Sequence, residues 1–167
     1  PKIVVFEVGG VIDLQGNNIG INTSDITIAG QTAPSPGITL VRGGFVIRGQ
    51  DLIIQHLRIR PGDLNEAKRS GRDIDALTTL GGAANVVVDH CSLSWATDEN
   101  LSASSTRLQG NSVDEWRQNA SHSILYSNNI IAEGLSDSTH AKGEHSKGSL
   151  IHDHVNDIVI YRNLYSS

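Results

Sequence analysis

The sequence has no methionine, a single cysteine, and only two Trp, three Tyr and two Phe in 167 residues. With so few aromatics, a core has to be built from Val, Ile and Leu, and β-branched residues of this kind favour strands over helices. The lone Cys91 excludes an internal disulfide. Its place in an alternating apolar stretch reads as a small buried residue. No apolar run is long enough to cross a membrane, so no membrane partner is expected. Basic excess is also missing: 13 Lys and Arg stand against 18 Asp and Glu, a formal net charge of −5. Such a chain gains no electrostatic help on a phosphate backbone, which argues against nucleic acid as a partner. A polyanionic sugar would be repelled as well, unless a cation or a local basic cluster mediates. Asn-Gly and Asp-Gly, the signatures of tight hairpins, do not occur. That disfavours a β-sandwich or jelly roll, the main alternative for a chain of short strands.

What the chain does contain is a series of short, similar apolar runs. They are "KIVVFEV", "DITIAG", "GITLVRGG", "FVIRG", "DLIIQHLRIR", "NVVVDHCSLSW", "SILYSNNII" and "DIVIYRNLY". Most are β-branched, bounded by Gly, Asn, Asp or Ser, and none keeps helical spacing over several turns. The polar stretch Ser112–Gln118 is the one place suited to a turn of helix. Five runs share a layout of a small polar residue, three mostly apolar residues, a polar corner and another strand. They start at Asp25, Asp51, Asn85, Ser123 and Asp157, at intervals of roughly 25 to 40 residues. One such unit cannot bury its own apolar side, but stacked units share a continuous core. The expected fold is therefore all-β, a parallel β-helix forming one domain over residues 1–167. The uneven intervals become loops of different length at one corner. Asn128 and Asn129 beside Asn163 suit an asparagine ladder at a bend.

Polar clusters interrupt this scaffold. In "GRDIDAL", Asp73 and Asp75 alternate, so on a strand both would project from one face, as half of a calcium site or as solvated turn residues. Asp98 and Glu99 follow the strand "NVVVDHCSLSW". If that strand occupies the next coil, about 4.8 Å away, these acids lie above the first pair. A third cluster, "DSTHAKGEHSKGSLIHDH", holds His140, Lys142, Glu144, His145, Lys147, His152, Asp153 and His154. It reads as a zinc site of unusual spacing, as a solvated loop, or as a basic loop beside a groove for an anionic substrate. His56 and His90 fall at equivalent places in their repeats and read as stacked structural groups. Asn22, Asn100 and Asn119 head tripeptides that fit a glycosylation sequon.

The segments "ITIAGQTAPSPGITL", "DLIIQHLRIRPGD", "GRDIDALTTLGGAANVVVDHCSLSWATDE" and "HAKGEHSKGSLI" resemble the pectate lyase superfamily, specifically polysaccharide lyase family 1. The resemblance covers nearly the whole chain. It implies a right-handed parallel β-helix, a secreted extracellular enzyme, a Ca2+ cofactor, and β-elimination of polygalacturonate or a related uronan. Carried over by motif, Asp73, Asp75 and Asp98 match metal ligands and Glu99 joins them. Lys147 matches a substrate-contacting lysine, with His145 beside it, and Asp89 and His90 match a structural pair. Two departures stand out. Family members carry a second acid where this chain has Ser102, so Glu99 substitutes or the site is built differently. The family's base is generally taken to be an arginine in a segment that would begin after Ser167. Arg162, in the strand before it, does not match; with Lys142 and Lys147 it makes up the set of basic candidates. The chain thus reads as the N-terminal and central part of a lyase, with a final coil open to self-association. The alternatives are a non-catalytic β-helix that binds anionic polysaccharide, a polygalacturonase-type hydrolase, whose Gly-His-Gly segment is absent, and a zinc hydrolase.

Overall fold

The structure, a computed structural model, describes residues 1–106 and 109–166; Ser167 lies outside the described residues. Its repeat is set by backbone that folds back on itself at short polar residues. Asp25, Asp51, Asn85, Ser123 and Asp157, the five expected repeat starts, all adopt positive φ, between 53 and 59°. His56, His90, Asn128 and Arg162 do the same at the next bend, with φ of 52 to 55°. This left-handed region is costly for branched side chains, so Asn, Asp and His are the residues that tolerate it best.

The coils follow directly. The first contains β1 (Lys2–Val5), β2 (Gly10–Asp13) and β3 (Ile19–Ile21). The second contains β4 (Ile26–Ala29), β5 (Ile38–Val41) and β6 (Phe45–Ile47). The third contains β7 (Gln50–Gln55), β8 (Leu57–Arg60) and β9 (Leu77–Thr79). The fourth contains β10 (Ala84–Asp89), β11 (Ser92–Ser94) and β12 (Glu99–Ala103). The fifth contains β13 (His122–Ser127), β14 (Ile130–Ala132) and β15 (Lys147–Ile151). Strands β16 (Asn156–Tyr161) and β17 (Leu164–Ser166) begin the sixth. Corresponding strands pair in parallel in three sheets: β1-β4-β7-β10-β13-β16, β2-β5-β8-β11-β14-β17 and β3-β6-β9-β12-β15. This is the right-handed parallel β-helix.

The core is a set of aliphatic stacks fixed by the register. Leu52, Val86 and Ile124 lie over one another in the first sheet, Ile59, Leu93 and Ile131 in the second, and Phe45, Leu77 and Leu101 in the third. All nine are at most 4% exposed, and each contributes about 1.5–3 kcal/mol by leaving water. Cys91 is buried among them, and burial pushes its thiol up to about 11, so it is an inert core group. The asparagine ladder also forms. Asn129 Oδ1 accepts the Cys91 N–H at 2.8 Å, and Asn163 Oδ1 accepts the Asn129 N–H at 2.8 Å. Asn128 lies outside it and donates to Asp89 instead.

The expected turn of helix is α1 (Val113–Gln118), capped by Ser112 Oγ, which accepts the Glu115 N–H at 3.2 Å. Asn100 is buried, and its amide is spent on Ala96 N–H and Ala132 C=O, which leaves no room for a glycan. The bend from the first to the second sheet is short in the later coils. The connection from the second to the third is long in two of them, over residues 61–76 and 133–146, and short between them, over 95–98. These three segments shape the candidate site.

Candidate cation and polysaccharide site

Strands β9, β12 and β15 enter the third sheet side by side. Glu99 pairs in register with Lys147, and Ser102 with both Thr78 and Leu150. Three residues before Thr78 and Ser102 stand Asp75 and Glu99, so one coil sets its acid over the next. The contact is direct: Asp75 Oδ1 accepts the Glu99 N–H at 3.0 Å, and Ala76 N–H donates to Glu99 C=O at 3.0 Å. Ser102, the residue in place of the expected second acid, donates its hydroxyl to Asp75 Oδ2 at 2.9 Å. It serves as a support for the carboxylate beneath it.

Asp98 completes the group. One carboxylate oxygen from each of Asp75, Asp98 and Glu99 lies within 4.8 Å of the other two. Burial and the neighbouring charge of Asp98 push Asp75 up to about 6, although bonds from Glu99 N–H and Ser102 work against the rise. Glu99 is only 5% exposed. Its burial, and then the charges of Asp75 and Asp98, push it up to about 8, and Lys147 Nζ, at 3.9 Å, offsets little of this. Carboxyls driven this far up lack the counter-charge that their placement calls for. An all-oxygen donor set of this kind fits a hard divalent cation such as calcium.

Asp73 takes a different path from Asp75. Residues 73–75 precede β9 and are not strand, so the alternation expected from the sequence does not place both acids on one face. Asp73 Oδ1 instead approaches the fully buried His140, at 2.8 Å from Nε2, without alignment for a hydrogen bond. The parallel bridge between Gly71 and His140 brings the two together. His140 stacks on His145 with ring centroids 4.0 Å apart, and His145 Nε2 is 2.9 Å from Asp98 Oδ1. Asp98, His140 and His145 thus form a second group with ligand atoms in metal range. Zinc fits it poorly. The backbone N–H of Lys142 donates to His140 Nδ1 at 3.1 Å, so Nε2 holds the ring proton and has no lone pair to give.

Lys147 Nζ lies 3.1 Å from His145 Nε2, beside the acids. Burial, and then nearby positive charge including that of Lys147, push His145 below its usual value. Of the other basic candidates, Lys142 is exposed and touches the group through its backbone. Arg162 sits at the bend between the first two sheets, over the Tyr161 ring at 5.0 Å, away from this corner. Asp89 and His90 lie at that same bend. Asp89 accepts from Ser127 Oγ at 2.7 Å, Asn128 Nδ2 at 2.8 Å and Gln55 Nε2 at 3.1 Å, and stands 2.7 Å from His90 Nδ1. His90 stacks on His56 at 4.9 Å. His140 and Ser102 are the site residues that sequence patterns point to least. Ser102 shows only as a departure from a motif, and His140 arrives from a loop with no local periodicity.

No protein-family model matches the chain. Curated proteins do. Probable pectate lyase C of Aspergillus terreus is 34% identical over 165 residues, which cover 98% of this chain and 32% of that protein. Probable pectate lyase C of Emericella nidulans is 32% identical with the same coverage. Pectate lyase 5 of Ambrosia artemisiifolia is 32% identical over 122 residues, 65% of this chain and 29% of that protein. The chain spans about a third of the length of the curated relatives it matches. Similarity along nearly the whole chain, together with the fold, supports a pectate-lyase-like relationship.

Proposed function

We propose, from this pectate-lyase-like relationship, that the chain carries the cation-binding and substrate-carboxylate-binding corner of a calcium-dependent lyase that cleaves polygalacturonate by β-elimination. The observation that carries the reading is the convergence of Asp75, Asp98 and Glu99 beside Lys147 and His145. Asp75, Asp98 and Glu99 would hold the calcium ion. When bound, it supplies positive charge that holds a uronate carboxylate and stabilises the negative charge developing next to it.

The chain's own residues do the rest. Ser102 and the Glu99 N–H fix the Asp75 carboxylate, so the acid is oriented before any ligand arrives. Lys147, half exposed, offers an ammonium to the substrate carboxylate. In the reaction a base takes the proton at C5, the C5–H electron pair forms the C4–C5 double bond, and the C4–O bond breaks, the departing oxygen taking up a proton to become the hydroxyl of the released chain. Among the three basic candidates, Lys147 is the one in side-chain contact with Glu99 and His145, and it acts on the substrate carboxylate as an ammonium, which has no lone pair for the C5 proton. An extracellular setting suits the reading, since both pectic polymer and calcium are met there.

The test is the ultraviolet absorbance of unsaturated uronate ends during incubation with polygalacturonate, in calcium and then in chelator. A calcium-dependent rise that Lys147→Ala lowers at least tenfold supports the proposal. A flat trace, with calcium-dependent retention on immobilised polygalacturonate, would instead make the chain a polysaccharide-binding β-helix.

A further inference from the structure

The chain has two tryptophans, and one of them gains little from the fold. Trp95 follows β11, at the bend where the fourth coil turns from the second sheet toward the third. Other coils take left-handed backbone at this bend too: φ is 55° at Arg42, 67° at Trp95 and 50° at Glu133. The conformation therefore belongs to the corner, but a bulky side chain is an outlier in it. Burial does not compensate, since Trp95 is 45% exposed.

The surroundings hold the ring in place. Trp95 Nε1–H donates to Glu133 Oε2 at 2.9 Å. The Arg60 guanidinium lies over the ring, 5.7 Å from its centre. Arg60 is itself tied down, donating to Ser92 C=O at 2.6 Å, Ser92 Oγ at 2.7 Å and Ile59 C=O at 2.9 Å. The Trp95 N–H donates to Glu133 C=O and its C=O accepts from Gly62 N–H, both at 3.0 Å. Three successive coils thus anchor the indole at its edge, on one face and at its root. The opposite face is open. A ring ordered before its ligand arrives costs less entropy on binding.

We propose that Trp95 is a stacking platform for an uncharged pyranose ring, a methyl-esterified galacturonate of a pectic chain, separate from the cation corner. An aromatic face is electron-rich, and sugar C–H bonds, polarised by their oxygens, turn partial positive charge toward it. A galacto-configured pyranose directs the C–H bonds of C3, C4 and C5 to one side, which suits a flat indole. The Glu133 carboxylate at the ring edge repels a free uronate and leaves an esterified one. A protein partner fits less well, because the fixed neighbours of the ring are charged and the centre of a protein interface is poor in charge. Trp95 and Asp98 bound the short connection 95–98, at most about 11 Å of backbone, so one polymer chain can span both sites. The choice of a pectic sugar rests on the proposed function; the anchored ring does not.

The test is the fluorescence of the chain carrying Trp116→Phe, which leaves Trp95 as the reporter, titrated with a fully methyl-esterified galacturonate hexamer in calcium and in chelator. The hexamer should change the Trp95 emission saturably and equally in both. By calorimetry, Trp95→Leu, which keeps apolar bulk without an aromatic face, should weaken binding of this hexamer roughly fivefold. Trp95→Phe should weaken it no more than about twofold. An emission that the hexamer leaves unchanged, or equal binding by the Leu and Phe variants, would overturn the platform. The unesterified hexamer, titrated alongside, reads the cation corner. If its binding proves indifferent to calcium, the proposed function fails and the platform stands.

Discussion

Two bends of the same coil treat carboxylates in opposite ways. At the bend between the first two sheets, Asp89 is enclosed by Gln55, Ser127, Asn128 and His90, drawn from three successive coils. Burial alone would raise it, but these partners outweigh burial and hold it well below the usual carboxylate range. At the entrance to the third sheet, Asp75, Asp98 and Glu99 face one another with few donors, and Asp75 and Glu99 rise. Stacking coils concentrates polar groups at every corner. Where donors and acceptors balance, the corner is structural; where like charges accumulate, it lacks counter-charge.

Substitution separates the two bends most strongly. Asp89→Ala should cost about 2–4 kcal/mol in urea unfolding, because it strands several donors together. Glu99→Gln should instead stabilise the cation-free protein by about 1–3 kcal/mol at neutral pH, because Glu99, raised to about 8, must take up a proton on folding and Gln need not. Equal losses from the two would erase the distinction.

Next comes pH. Glu99 is raised from 4.5 to about 8 and Asp75 from 3.8 to about 6, so the folded chain binds more protons than the unfolded one across that window. The stability these two groups confer is full below their ordinary values and is lost as pH rises through about 8. Asp89, with its folded value depressed, works the other way. Its contribution is present above 3.8 and is lost as pH falls below that value. Thermal melts in chelator should therefore show a decline from mildly acidic to mildly alkaline pH that Glu99→Gln flattens. They should also show a separate acid limb that Asp89→Asn flattens.

A smaller effect sharpens the contrast. Lys147→Ala should change stability by less than about 0.5 kcal/mol, since its ion pair is long and half exposed. In calcium it should nonetheless weaken galacturonate oligomer binding roughly tenfold. His56→Ala, which removes one ring of an exposed stack, should cost about 0.5 kcal/mol in the same urea series and leave oligomer binding unchanged.

Much of this was legible in the sequence because the fold repeats. The β-branched triplets announce strands, and the five small polar residues from Asp25 to Asp157 mark where each coil restarts, since backbone at positive φ selects for them. The Asn129–Asn163 ladder was visible for the same reason. The site was legible in part. Glu99 lies over Asp75, as the stacking of coils requires. Asp73 departs from Asp75 because the chain there is not yet strand, and no alternation rule holds outside a strand. His140 reaches the site through a bridge to Gly71, 69 residues earlier, set by the path of two long loops. Local sequence carries no trace of such a contact.

The most direct test of the central claim is a calorimetric titration with calcium of the chain, of Glu99→Gln and of Asp89→Asn, at neutral pH. Near one ion should bind to the unaltered chain and to Asp89→Asn, with binding to Glu99→Gln weakened at least tenfold. No binding to the unaltered chain, or equal binding to Glu99→Gln, would contradict the account and return the acid cluster to the solvated surface.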